Sequence, residues 1–186
     1  CAIPKQLSDM LYADLWSRGI PVVLTSGTLS AAGSFEHIER KMGLDRVRSL
    51  METSKPSPFC HRENVLLYIS ETVPFPDSQD NEYIAAVAEE AGRLIQASHG
   101  HAALLFTSYK AMDQVFTLLG RQNLGFPLFR LDRGGINAIA RFRKSGNGVL
   151  FASGALWEGI DLPGDVLSLL IIVKLPFAVP DPVSEY

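Results

Sequence analysis

The residues best equipped for chemistry are two carboxylates, Glu158 and Asp161, which share the glycine-broken loop 153–165 with Trp157. An apolar run, 149–152, enters this loop, and a second, 167–175, leaves it and stops at Pro176. Buried strand, functional loop, buried strand is the pattern of a parallel sheet, where ligands sit at the carboxyl ends of the strands. Two more loops place hydroxyls after apolar runs: Ser26 and Thr28 follow 21–24, and Thr107, Ser108 and Tyr109 follow 102–106. Small residues there leave amide N–H groups and hydroxyls free to meet phosphate oxygens, and the Tyr109 ring offers a stacking surface for a base. Each loop also has a plainer reading: a turn and helix cap around 25–30, a cap at Ser108 beside a packed tyrosine, and Trp157 as a core residue rather than a stacking ring.

The elements that must hold these loops follow from periodicity. Apolar residues at helical spacing predict helices over 4–17, 34–42, 81–98, 111–119 and 136–144. The clearest is 81–98, with Ile84, Val87, Ala88, Ala91, Leu94 and Ile95 on one face and Gly100 after it as a stop. Ser34 is the expected cap of its helix. Short apolar runs predict strands near 21, 65, 102, 128, 148 and 168, and Val73-Pro74-Phe75-Pro76 reads as loop. Strands alternating with helices imply right-handed crossovers and a mostly parallel sheet.

Composition narrows the function classes. The chain has 186 residues, 47% hydrophobic and 20% charged, as in an ordinary globular domain with a real core. A formal net charge of −3 supplies no global basic field, so any contact with nucleic acid must be local. Arg141, Arg143 and Lys144 make the helix at 136–144 basic, a pattern that most often marks a solvated face. Cys1 and Cys60 form no Cys-x-x-Cys pair, and His99 and His101 flank Gly100 without a third ligand, so no metal site is expected. A reducing, cytoplasmic setting is the default, and no apolar run reaches the roughly 20 residues needed to span a bilayer. The chain starts at Cys1 and ends at Tyr186 without a stop signal, and is expected to be a piece of a longer protein.

Several segments together resemble motifs of a known family. Leu156-Trp157-Glu158-Gly159-Ile160-Asp161-Leu162-Pro163-Gly164-Asp165, then Lys174-Leu175-Pro176-Phe177 and Pro180-Asp181-Pro182, looks like motif V and its sequel in DinG/XPD-type helicases of superfamily two. The family usually writes FWEGVD there, so Leu156 and Ile160 are mild departures. Ser26-Gly27-Thr28-Leu29 resembles motif III, Leu105-Phe106-Thr107-Ser108-Tyr109 matches motif IV literally, and Ser57-Pro58-Phe59 with Asn64 resembles the family's intervening segment.

The resemblance covers essentially the whole chain. It implies the second, C-terminal motor domain of an ATP-dependent DNA helicase. The expected fold is a RecA-like three-layer sandwich, with a mostly parallel sheet and helices on both faces. It further implies ATP with magnesium in the full-length protein, single-stranded DNA as partner, a first motor domain elsewhere in the same protein, and work in repair or replication in a bacterial-type, nucleoid-associated setting. Glu158, Gly159 and Asp161 would face the nucleotide, Gly159 allowing close backbone approach and Asp161 accepting from a ribose hydroxyl or orienting an arginine. Ser26, Thr28, Ser108, Tyr109 and Ser153 would line the DNA track, and Lys174 would reach a phosphate.

No G-x-x-x-x-G-K-[ST] phosphate loop and no Asp-Glu-Ala-His-type magnesium motif occurs, and the family's arginine-bearing motif VI is expected beyond Tyr186. The expectation is therefore no catalytic residue in this segment and no ATP hydrolysis by it alone. The four-cysteine iron–sulfur motif of some relatives belongs to the other motor domain, on which this chain is silent. Two other classes stand beside this reading. One is a helicase-fold binding module without motor activity. The other is an unrelated nucleotide-sugar transferase, which would need a glycine-rich strand–helix turn or an acidic metal pair.

Overall fold

The computed structural model describes residues 6–75, 81–131, 136–154 and 161–177. It divides into two compact units, one whose described residues run from 6 to 67 and one spanning Tyr68–Phe177.

The first unit is built on two short helices, α1 (Leu7–Asp14) and α2 (Glu36–Met42). They pack closely because α2 ends at Gly43, whose φ of +70° is natural only for glycine. A Cβ at Gly43 would lie 2.4 Å from the Ser8 carbonyl oxygen. The Trp16 indole N–H donates to the Met42 carbonyl at 2.7 Å, Arg46 pairs with Asp9 at 2.6 Å, and Leu44 is buried. Ser34 Oγ accepts from Glu36 N, one residue earlier than the position that flanks the helix, Phe35. A single turn, α3 (His61–Asn64), had no clear signature in the sequence.

The strands expected near 21 and 65 are not formed; both runs lack regular secondary structure, with Val23 87% and Leu66 92% exposed. A strand exists only through hydrogen bonds to a neighbour, and the described residues supply none to either run.

The second unit is a parallel sheet of β1 (Ala102–Phe106), β2 (Leu128–Leu131), β3 (Val149–Ser153) and β4 (Leu169–Ile172), in the order β2-β3-β1-β4. Its helices are α4 (Asn81–Ala97), α5 (Tyr109–Arg121) and α6 (Ile136–Ser145). Chain direction decides which face each takes. The step from β1 to β2 runs one way across the sheet, while the steps from β2 to β3 and from β3 to β4 run the other way. Right-handed crossovers then require α5 on one face, and α6 with the 161–168 crossover on the opposite face.

The packing agrees. Ile84, Val87, Ala91 and Ile95 of α4 and Met112, Val115 and Leu119 of α5 bury against Leu104, Phe106, Val149 and Phe151. Phe142 of α6 buries against Ala103, Phe129, Leu131, Leu150 and Ala152, and Leu162, Val166 and Leu167 of the crossover join that cluster. Helices thus cover both faces, as the sequence predicts for a three-layer α/β fold.

Two local features differ from expectation. The C-terminal stop of α4 is shared: His99 takes the left-handed position (φ +55°) and donates to Gln96 O, while Gly100 (φ +83°) donates to Ile95 O at 2.9 Å. This is the two-bond C-terminal capping pattern, with histidine where glycine is usual. The apolar run 167–175 yields not a buried central strand but the short edge strand β4, with Leu170 52% and Ile172 45% exposed. Position at the sheet edge, which hydrophobicity does not report, explains the difference.

Candidate nucleic-acid and nucleotide interface

The crossovers leaving β1 and β3 diverge to opposite faces, so a crevice opens between the carboxyl ends of these neighbouring strands. In open α/β sheets such a switch point is where ligands bind. The register pairs Phe106 with Ser153, placing 107–109 and 153–154 side by side at that rim. Sequence reasoning nominated Ser108, Tyr109 and Ser153, and the fold brings the three together.

Each has a local cause. Ser108 leaves β1 in an extended conformation (φ −137°, ψ 127°) and accepts from Ala111 N at 3.4 Å, so it caps α5. The N-terminal end of this 13-residue helix, with its positive dipole end, therefore points at the crevice. Tyr109 is the first residue of α5 and is 38% exposed. Gly154 turns the chain out of β3 with φ +72°, and a Cβ there would lie 3.4 Å from the Tyr109 hydroxyl oxygen. Ser153 is 1% exposed, and its Oγ has no hydrogen-bond partner among the described residues. An unmatched buried hydroxyl costs about 1–3 kcal/mol, and among the described residues of the rim Ser153 carries such a cost.

Asp161, nominated for the nucleotide, is exposed, and its backbone carbonyl accepts from the Arg143 guanidinium of α6. Glu158 and Gly159, with Trp157, lie outside the described residues. Ser26 and Thr28 belong to the first unit, where their hydroxyls lie 3.1 Å apart and Ser26 Oγ accepts from Thr28 N. A turn is present there, but no helix is capped at 25–30; the next, α2, starts at Glu36. Lys174 is exposed at the bend after β4. Among the described residues no group of three His, Cys, Asp or Glu side chains could hold a metal, and no helix is long and apolar enough to cross a membrane.

Several contacts were invisible to sequence reasoning. Two arginines of the basic helix α6 are engaged internally: Arg143 on the Asp161 carbonyl, and Arg141 over the Phe129 ring at 5.6 Å. Glu90, 7% exposed, accepts from the Tyr68 hydroxyl and pairs with Arg93 at 3.3 Å, tying the entry to the second unit onto α4. That hydrogen bond, then burial, raises the Tyr68 pKa above its ordinary value. Burial raises that of Tyr83, whose hydroxyl donates to the Val173 carbonyl at 3.1 Å. A charged residue on a helix that otherwise reads as core, as at Glu90, is the one signal that could have been noticed.

The parallel sheet with helices on both faces defines a RecA-like α/β domain. Residues 91–186 match the family described as Helicase C-terminal domain, and the chain belongs to that family, in its DinG-type branch. An ATP-dependent helicase DinG of Mycobacterium tuberculosis is 31% identical over 179 residues, 96% of this chain and 26% of the relative. The ATP-dependent DNA helicase YoaA of Haemophilus influenzae is 29% identical over 178 residues, 96% of this chain and 27% of its own. A Bacillus subtilis relative named 3'-5' exonuclease DinG is 29% identical over 187 residues, 97% of this chain and 20% of its own. The chain thus spans about a quarter of the length of the curated relatives it matches. No solved structure matches it.

Proposed function

We propose that this chain is the second motor domain of a protein that couples ATP hydrolysis to movement along single-stranded DNA, in repair or replication. The observation that carries the reading is the Ser153 Oγ, without a hydrogen-bond partner among the described residues, at the rim beside the N-terminal end of α5. A hydroxyl donor next to the positive end of a helix suits a phosphodiester oxygen, which accepts from both. Ser108 keeps the helix end in place, and Tyr109 presents a ring for a base. In the first unit, Ser26 and Thr28 would offer hydroxyls of their own to DNA.

ATP, arriving with magnesium, would bind between this domain and a first motor domain outside the chain. Glu158, Gly159 and Asp161 would meet its nucleoside side. The chain has no phosphate-cradling glycine loop of its own, so hydrolysis by it alone is not expected. Closing on ATP and opening after hydrolysis would move the two DNA grips relative to each other.

Ser153→Ala separates this from a purely structural hydroxyl. A DNA donor predicts single-stranded DNA binding by the full-length protein weakened about ten- to 150-fold, the worth of one hydrogen bond to a charged group. Unchanged binding with unchanged or raised stability would mean the hydroxyl is only an unmet polar group, and the DNA reading of the rim would fail. Asp161→Ala should lower DNA-stimulated ATP hydrolysis; unaltered turnover and KM would remove Asp161 from the nucleotide site.

A further inference from the structure

A net charge of −3 leaves any grip on nucleic acid to local cations. The obvious cluster is in α6, with Arg141, Arg143 and Lys144, but it is badly placed for the rim. The last turn of α6, with Arg143 and Lys144, passes to the start of β3 through only 146–148, so it lies towards the amino end of the sheet. Arg143 and Arg141 are also engaged, on the Asp161 carbonyl and over the Phe129 ring.

The carboxyl rim has cations of its own. Phe106 of β1 is level with Ser153 on one side. On the other side the β1–β4 ladder continues one residue past β4, where Val173 N donates to Leu105 O at 3.1 Å. The chain therefore leaves three neighbouring strands in one row, at Gly154, Thr107 and Lys174. Adjacent strands lie about 4.8 Å apart, so the row is about 10 Å long. Lys174 closes it, exposed at its bend. Lys110, also exposed, is the second residue of α5, in the turn that Ser108 caps. Neither lysine makes an ion pair among the described residues. Segments 106–112, 153–154 and 173–177 hold these lysines and no carboxylate, and the positive end of α5 adds to the same field.

We infer that Lys110 and Lys174 are the cations with which this rim holds the phosphates of single-stranded DNA, and that the basic helix α6 takes no part. The inference rests on the DNA reading of the rim given above and adds the groups that carry its electrostatic part. An ammonium that neutralises a phosphate displaces a condensed counterion, so its contribution fades as salt rises. On a single strand each such contact adds about 0.7 to the slope of log Kd against log salt. A neutral donor such as Ser153 adds affinity without adding slope.

The test measures binding of the full-length protein to a labelled oligothymidine, without ATP, over about 0.05 to 0.2 M salt. Lys110→Gln and Lys174→Gln should each lower the slope by about 0.7 and weaken binding about five-fold near 0.1 M salt. The double variant should lose about 1.4 of slope and bind about 25-fold more weakly. Lys110→Arg and Lys174→Arg keep the charge and should keep the slope. Lys144→Gln removes the same charge from α6 and should change neither slope nor affinity. A wild-type slope in the double variant overturns the inference, whether or not affinity falls, as does an equal loss of slope in Lys144→Gln. The DNA reading of the rim fails separately, through Ser153→Ala, which removes no charge. Weaker binding by Ser153→Ala beside wild-type slopes in the lysine variants rejects the lysines and keeps the rim.

Discussion

Gly100 offers the sharpest quantitative test of the fold, because two distinct costs meet at one residue. Its φ of +83° lies in the left-handed region, where an L side chain costs roughly 1–2 kcal/mol. The ideal Cβ position is also 1.9 Å from the Asn147 carbonyl oxygen and 3.1 Å from Phe126 Cδ1. A Cβ cannot approach backbone oxygen so closely, so the α4–β1 turn must separate from the turn before β3, at the roughly 1–3 kcal/mol typical of overpacking. Gly100→Ala should therefore destabilise the second unit by about 2–5 kcal/mol, a large part of a normal domain's 5–15.

Two other glycines split the sum. Gly125 has nearly the same backbone, φ +81°, with nothing within 4 Å, so Gly125→Ala should show the conformational cost alone, about 1–2 kcal/mol. Gly120 lies within α5 in open space, and Gly120→Ala should stabilise by up to about 1 kcal/mol. Urea unfolding followed by hydrogen exchange of the β1 amides gives all three on one scale. If Gly100→Ala costs no more than Gly125→Ala, the close approach of 100 and 147 is wrong, and with it the packing of the amino ends of β1 and β3.

Other expectations follow from the same geometry. Phe142→Ala empties a fully buried site that meets Phe129 edge-on at 6.2 Å, and should cost about 3–5 kcal/mol by chemical denaturation; a loss below 1 would mean α6 is not seated on the sheet. The raised pKa values of Tyr68 and Tyr83 make a signed pH prediction. Because the folded-state values lie above the unfolded value near 10, both contributions are complete below about pH 10 and are lost as pH rises through the folded values. The urea midpoint of the wild-type chain should thus fall more steeply above pH 10 than that of Tyr83→Phe; parallel slopes would exclude Tyr83 as a source.

Much of the second unit could be read in advance. Ile84, Val87, Ala91 and Ile95 declare α4 because burial on one face of a helix repeats every three or four residues, whatever lies opposite. Ser108 announces the start of α5, since capping is a bond between residues three apart. The runs at 21–24 and 65–69 look no different from 128–131, yet only the last became a strand. Ladder hydrogen bonds need a partner far along the chain, and no local pattern says whether it exists. The edge position of β4 was hidden for the same reason.

The site divides along the same line. By itself, the sequence determined which residues carry hydroxyls, rings and carboxylates beside apolar runs, and the ordered motifs that mark the helicase family. Only the tertiary structure decided that Ser108, Tyr109 and Ser153 share one rim, that Ser153 Oγ finds no partner among the described residues, and that Arg143 is spent on the Asp161 carbonyl. Residue type and local spacing are written in the chain, whereas the divergence of the crossovers leaving the parallel neighbours β1 and β3, which opens the crevice, is a property of how distant strands pair.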